Sequence, residues 1–447
     1  NVAVGQEALT NNTTASNNTA VGKSALAANT TGTQNTGIGT SALAANTTAN
    51  NNTALGYIAL EANTTGHSNT AVGAGAASTV TTGDENVAVG HGALQSMATG
   101  NNGNTVVGTD ACANANYDAS YNTAFGYNTL LNNTTGGGNT AIGNQALDAN
   151  TTATNNVAVG AGCLGANTTG GSNTAIGTEA SNSNQTGGDN VAVGKNALFT
   201  AASADHCTAV GHDALAANLG SENTALGSFA GKQVTTGTKN VLLGYLAAGN
   251  LTTTSDNVII GHDGADNLVN GSQNICIGTA TSLSASGGGN QIVMGINVTG
   301  SGNSNFTFGD GTNDSNIAFG ATTITAPSDI RLKEDIQDQE AGLFFINDLR
   351  PVTFRWKKEK DIPSELNAYK EGSEKRTMND KVNHGFIAQE VKAVIDAHDE
   401  IKNGFDLWQE DEVDGRQRIG ATNLETILVK AIQELSTEID EIKKKLH

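Results

Sequence analysis

"NTAVGKSALAANTTGTQ", residues 18–34, is followed at once by "NTGIGTSALAANTTANN", residues 35–51, so the chain restates itself after 17 residues. Aligned on the glycine closing each "NTAVG"-like word, Gly5, Gly22, Gly39, Gly56, Gly73 and Gly90 are 17 apart, and Gly108 and Gly126 follow by 18. Gly143, Gly160, Gly177, Gly194 and Gly211 resume the 17, and after one step of 16 the series runs through Gly227, Gly244, Gly261 and Gly278 to Gly295. A period this regular means one supersecondary unit stacked many times, each copy burying its apolar face only against its neighbours.

The words "NVAVG", "NTALG", "NTAFG", "NVIIG" and "NICIG" have a β character. Their second and fourth positions, such as Val2 and Val4, Thr70 and Val72, or Val258 and Ile260, share one face of a strand. That face is expected to line the interior. The third position is small and apolar (Ala3, Ala20, Ala54, Ala88, Ala141, Ala175), and as the opposite face it is expected to pack on another copy of the chain, because strands apolar on both sides are buried on both. A second short word, as in Ala8–Leu9, Ala25–Leu26 and Ala146–Leu147, reads as a second strand, with Gly and Asn at the bends where φ > 0 is needed. The expected fold is mainly β: a parallel β-roll or solenoid of 17-residue coils over 1–295, a β cap over 296–327, and a small α+β domain over 328–447. At about 4.8 Å per coil the repeats make a rod of roughly 80 Å.

Asn opens nearly every word (Asn1, Asn18, Asn35, Asn52, Asn69, Asn86, onward to Asn274). A sugar-binding ladder is one reading; stacked amides that satisfy one another and the turn backbone are the stronger one. The many "NTT" and "NNT" triplets match glycosylation acceptors only as repeat grammar.

Composition excludes several function classes. Aromatics are 4% and charged residues 15% of 447, with 55 Gly, so no conventional Leu/Phe core runs throughout. The net charge is -20; residues 1–327 hold four Lys (Lys23, Lys195, Lys232, Lys239), no Arg and 17 acidic residues, which argues against a nucleic-acid partner. No apolar run reaches membrane-spanning length, so no membrane insertion is expected. Cys112, Cys163, Cys207 and Cys276 lack CxxC spacing and read as small apolar residues inside the repeat. No cofactor and no metal site are expected; "DGTND" places Asp310 and Asp314 in what reads as a β-turn rather than a calcium loop. After Gly295 the period shortens, and Phe306, Phe308 and Phe319 bring the aromatic mass of a cap.

Composition changes at "PSDIRLKEDI", residues 327–336. At the other end, Leu428, Ile432, Leu435, Ile439, Ile442 and Leu446 are spaced 4, 3, 4, 3, 4, a coiled-coil seam over about 421–447 whose isoleucines favour trimers. Such a clamp sets three chains in register before slow non-local β pairing begins.

Two families share these patterns. "NTAVG…AL…NTTG" is similar to the head repeats of trimeric autotransporter adhesins and of viral fibres, which implies a left-handed trimeric β-roll. "PSDIRLKEDI", "HGFIAQEV" (384–391) and "LVKAIQEL" (428–435) together resemble the intramolecular chaperone of phage endosialidases and tail fibres, the S74 peptidase family; the charged stretch 357–383 reads as an insertion. That resemblance implies autoproteolysis at Pro327–Ser328, with Ser328 as nucleophile and Lys333 as base, and His384 orienting the lysine or the oxyanion or else supporting the trimer. Gln389 and Glu390 read as structural. A spacing of five puts Ser328 and Lys333 on different faces of a helix or strand, so they meet across a turn or between chains.

The function these readings imply is a fibre or spike of a phage virion, assembled in the host cytoplasm. Its partners are two further copies in a homotrimer, a host cell-surface receptor such as a glycan, and other tail proteins through upstream regions. Two alternatives stay open. In one the rod is the non-catalytic stalk of a glycan-degrading tailspike, since 1–327 holds no paired-carboxylate constellation; in the other the chain is a bacterial surface adhesin.

Overall fold

The computed structural model describes all residues except 98–99, 115–116, 322–323, 325–329, 331–332, 367, 399–400, 402–406, 411–414, 416, 421 and 447. The chain folds into two compact units, residues 1–327 and 328–447.

The first unit is a parallel β-solenoid. Each coil contributes one short strand, from β1 (Val2–Val4), β2 (Thr19–Val21) and β3 (Thr36–Ile38) through β18 (Ile292–Gly295), and each strand pairs in parallel with the next. Register is kept residue for residue: Val2, Ala3 and Val4 lie against Thr19, Ala20 and Val21. β19 (Asn305–Gly309) extends the stack in parallel, and β20 (Ser315–Ala318) folds back antiparallel on it. The hairpin between them is closed by carboxylates: Asp310 accepts the Thr312 and Asn313 N–H groups at 2.9 and 2.7 Å, and Asp314 accepts that of Gly311 at 2.8 Å. The bonds to Asp310, the one from Asn313 foremost, hold its carboxyl below the ordinary pKa.

The structure reverses the expected faces of the strand. The third-position residue points inward: Ala54 is fully buried whereas its neighbour Leu55 is 46% exposed, and the same alternation recurs at Ala124 and Phe125. Val2 and Val4, Thr70 and Val72, and Val258 and Ile260 accordingly face outward. The reason is the opposite wall of the coil, which sends in Leu26, Leu43, Leu60 and their equivalents, all buried. A Cβ on Gly37, at the third position, would lie 3.3 Å from Leu26 Cγ, so Leu and a small residue together fill the gap. Where the third residue grows to Leu242, the wall shrinks: a Cβ on Gly231, at the leucine position, would meet Leu242 Cδ1 at 2.4 Å. Volume is conserved coil by coil.

The "AL" word is also not a second strand. Its leucines adopt left-handed backbone (Leu26 φ 52, Leu43 φ 53), yet they bond from coil to coil, Leu26 N–H to Ala42 C=O at 3.0 Å and Leu43 N–H to Ala59 C=O at 3.0 Å. The wall is thus a ladder of turns. It satisfies its backbone without β geometry.

Two asparagine columns pin the corners. Asn35 N–H donates to Asn18 Oδ1 at 2.8 Å and Asn52 N–H to Asn35 Oδ1 at 3.0 Å, while each Nδ2 reaches a bend carbonyl, as Asn35 does to Ala49 at 2.8 Å. A second column, not foreseen from the words, runs through the "ANTT" bends: Asn46 Nδ2 donates to Asn29 Oδ1 at 2.9 Å and Asn63 Nδ2 to Asn46 Oδ1 at 3.0 Å. These amides are buried, which assigns them to the scaffold. The closing glycines are obligatory for a related reason: Gly22 has φ +135, and a Cβ there would lie 2.5 Å from the Gly39 carbonyl oxygen.

The second unit is α+β. It contains α1 (Leu343–Asp348), the antiparallel pair β21 (Val352–Phe354) and β22 (Asn383–Gly385), α2 (Ala388–Ala397), the pair β23 (Trp408–Glu410) and β24 (Gln417–Ile419), and the terminal α3 (Thr422–Leu446). Its core gathers Ala341, Phe345, Val391, Ile395, Ile401, Leu407 and Ile427. Each helix gives that core one face, Val391 and Ile395 from α2 being one turn apart.

Candidate functional site

Of the residues expected to carry self-cleavage, Pro327 and Ser328 lie outside the described residues. Lys333 lies in the irregular segment ahead of α1; its side chain is exposed and its backbone N–H donates to Ile330 C=O at 3.2 Å. His384 sits in the middle of β22, opposite Thr353 of β21, and is likewise exposed. It lines a shallow open depression with Pro351, Val352, Thr353, Gly385 and Phe386. An imidazole at the rim of such a depression is accessible to a peptide segment laid across the two strands. Its strand pairing fixes the backbone from which it projects.

Glu390, expected to be structural, secures this hairpin together with Arg350. Glu390, in the first turn of α2, receives two hydrogen bonds from the Arg350 guanidinium just before β21, one of them from Nε at 2.9 Å. The pair holds the Glu390 carboxyl below its ordinary pKa and raises that of Arg350. α2 therefore locks onto the strand that faces His384. Neither Arg350 nor its partnership was legible in the sequence, because 40 residues separate the two.

The charged stretch 357–383 closes on itself. A 3-10 turn at Glu359–Asp361 and a bridge between Lys358 and Arg376 bring Glu374 onto both Lys358 and Lys360. Hydrogen bonds from Lys358 and then Lys360 lower the Glu374 carboxyl to about 2. Glu359 is buried beneath and accepts the Ser373 hydroxyl at 2.8 Å.

α3 presents two faces. Ile427 and Ala431 are buried in the unit, and Glu434 accepts the N–H of Leu343 at 2.7 Å, capping α1 from a distance of 91 residues. The other face carries Leu428, Ile432, Leu435, Ile439, Ile442 and Leu446, all exposed. The solenoid has a matching feature. Across β1 to β18 the second and fourth positions of the word hold only Val, Thr, Ile, Leu, Phe and Met, and none of them is buried. That stripe runs beside strands whose interiors are complete.

Among the described residues no helix is long and apolar enough to cross a membrane, and no group of His, Cys, Asp and Glu is arranged to hold a metal ion. The four cysteines are free and buried, and burial pushes the thiols of Cys112, Cys163 and Cys276 up to about 12.

Comparison with curated proteins and with solved structures returned no match. The comparison with protein families did: residues 328–400 match the Peptidase_S74 model, described as the chaperone of endosialidase. The matched stretch holds the "SDIRLK" and "HGFIAQEV" blocks and ends ahead of the "LVKAIQEL" block in α3. A parallel β-solenoid followed by a segment that matches the endosialidase-chaperone family fits a tail fibre with a C-terminal chaperone domain.

Proposed function

We propose that the chain is a segment of a phage tail fibre or spike, a trimeric β-rod for host attachment whose C-terminal unit chaperones assembly and then cuts itself off. The observation that carries this reading is the position of the family match, which begins at residue 328, where the solenoid unit ends. A removable folding aid belongs at such a junction.

Trimerisation is supported by two outward, charge-free surfaces on one chain. The outward stripe of the solenoid and the exposed seam of α3 both lack charge. Exposed stripes of that extent mark association surfaces, and isoleucine-rich seams favour three strands. The stripe is the face on which the strands of neighbouring copies meet, in place of the alanine face, which the coil itself consumes.

In the cleavage step Ser328 Oγ attacks the carbonyl carbon of Pro327. Its proton passes to the Lys333 amine, and the C–N bond breaks as the Ser328 nitrogen takes up a proton and leaves, giving an ester. Water then hydrolyses the ester, which frees the Pro327 carboxylate and restores the hydroxyl. A lysine serves as base once burial lowers its pKa. Lys333 is exposed in the single chain, so packing of a second copy over it couples cleavage to assembly. His384 lends a hydrogen bond to the developing oxyanion. The enzyme acts once, on its own chain.

A denaturing gel of wild type beside Ser328→Ala tests this. Wild type is expected to lose about 13 kDa, at about 110 Da per residue, and the variant to stay intact; identical intact bands refute self-cleavage. Light scattering of native Ser328→Ala at three times 45.4 kDa is expected, and a single-chain mass refutes the fibre reading.

A further inference from the structure

Besides the two asparagine columns, a third ladder runs along one corner of the solenoid, in which a side chain of each coil accepts a backbone N–H of the coil before it. Thr33 N–H donates to Asn50 Oδ1 at 2.6 Å, His67 N–H to Asp84 Oδ1 at 2.6 Å, Asp84 N–H to Asn102 Oδ1 at 2.7 Å, and Asn102 N–H to Ser120 Oγ at 3.0 Å. The ladder resumes where Gly188 N–H meets Asp205 Oδ1 at 2.7 Å. In the coils between, Ser120, Gly137, Thr154 and Gly171 hold the position, and among the described residues no acceptor stands opposite their four N–H groups. The cause is a missing side chain. A Cβ on Gly137 would lie 3.9 Å from Ser120 N, one on Gly171 3.9 Å from Thr154 N, and one on Gly188 3.9 Å from Gly171 N. Glycine therefore leaves open the space in front of these donors, where other coils place an oxygen.

The four donors are within reach of solvent: Ser120, Gly137 and Gly171 are half-buried and Thr154 is exposed. Beside them, in the column that precedes the first asparagine of each word, Tyr121 stands between Gly103 and Gly138 of the adjoining coils. One face of its ring rests on Gly103, where a Cβ would lie 3.0 Å from Tyr121 Cδ1. Gly138 brings no side chain to the other face, and Tyr121 is 71% exposed. Asn155 comes next in the column, with its Oδ1 2.8 Å from where a Cβ on Gly138 would lie. One open aromatic face and an amide thus flank the start of the donor row.

We propose that this corner binds a neutral, extended oligosaccharide whose oxygens occupy the notches before Ser120, Gly137, Thr154 and Gly171, with one sugar ring laid on Tyr121. The filled coils show what such a notch takes: an oxygen acceptor at hydrogen-bond distance, supplied there by Asn50, Asp84 or Asn102. Spacing and charge select the ligand. The donors recur with the coil, at about 4.8 Å, whereas an extended peptide turns a carbonyl to one side only every second residue, about 6.7 Å, and falls out of step with the row. Residues 118–189 hold Asp118, Asp148, Glu179 and Asp189 and no Lys, Arg or His, which repels phosphodiester or sulfated chains. A neutral β-linked sugar chain advances by about one coil per unit and carries hydroxyl and ring oxygens at each, while the C–H face of one unit suits the open Tyr121 ring. This binding rests on the attachment function proposed above and places it at one corner of the rod.

The test uses the full chain with Ser328→Ala, titrated calorimetrically with cellohexaose and with chitohexaose. Saturable binding of at least one is expected. Gly137→Asn combined with Gly171→Asn installs the residue the ladder uses at Asn50 and Asn102, at glycines whose backbone is not left-handed, and so gives the Ser120 and Thr154 N–H groups acceptors of their own. The double variant is expected to keep its fold by circular dichroism and to bind tenfold or more weakly, as is Tyr121→Asn; Asn144→Ala, at an exposed position outside the corner, should bind unchanged. Amide exchange followed by mass spectrometry gives a second reading: the four amides should exchange fast in the parent and slow when the sugar is added. No binding of either sugar, which leaves the donors to water, overturns the proposal, and so does binding that the double variant retains. Protection of the four amides without sugar overturns it as well, since another copy of the chain would then cover the corner. The cleavage gel and the light-scattering mass do not read this corner, so failure here is distinguishable from failure of the fibre reading.

Discussion

Replacing Asn52 by alanine probes what holds the corners of the solenoid. Asn52 is fully buried; its Oδ1 accepts the Asn69 N–H at 2.8 Å, and its Nδ2 donates to the Gly66 carbonyl at 2.7 Å. The two losses are unequal. Gly66 keeps a second donor, Asn63 Nδ2 at 3.0 Å, so that carbonyl stays satisfied and the loss is of the order of a net hydrogen bond, about 1 kcal/mol. The Asn69 N–H is left buried without its acceptor, at about 1–3 kcal/mol. The sum, about 2–4 kcal/mol, corresponds to a roughly 30- to 700-fold rise in local opening, at about 1.4 kcal/mol per tenfold. Because coils contact only their neighbours, the effect belongs to the coils flanking 52 and 69 and fades beyond them. Amide hydrogen exchange followed by mass spectrometry on peptides spanning 50–75 reads it directly. Asn144→Ala, at an exposed position, is the control and should stay within about 0.5 kcal/mol. Equal protection in the two variants would show that the asparagine column is ornament, and the account of the scaffold would fail with it.

Two further outcomes follow from titratable groups. The thiols of Cys112, Cys163 and Cys276, pushed up to about 12 by burial, and that of Cys207, raised for the same reason, should resist a thiol reagent in the native protein at about pH 8, and all four should react once the chain is unfolded. Labelling of native protein faster than unfolding would contradict the burial. Glu374 has a folded pKa of about 2, below its ordinary value of 4.5, so its bonds to Lys358 and Lys360 contribute stability that is fully present above the ordinary carboxylate range and lost as pH falls from 4.5 toward 2. An NMR titration should find its midpoint well below 4.5, and Glu374→Gln should flatten the acid limb of stability; a midpoint near 4.5 would refute the clamp.

Much of the C-terminal unit was open to sequence reading where the signal is local. The seam from Leu428 to Leu446 follows from helical spacing, and α3 carries it on an exposed face. The long-range contacts that hold this unit together were closed to it. Arg350 meets Glu390 across 40 residues, and Leu343 meets Glu434 across 91, pairings that only a folded chain creates.

In the solenoid the division is sharper. Period, parallel stacking and the buried role of the first asparagine are properties of the repeat, since identical words spaced evenly can satisfy their backbones only on one another. Which side of the strand faces in was beyond the sequence taken alone. A word such as Val-Ala-Val is apolar on both faces, and alternation supplies a period without a sign. The sign came from across the coil, where Leu26 and its equivalents already occupy the interior and leave room for alanine only, as the exchange of space between Gly231 and Leu242 makes plain. The larger residues were turned outward by volume.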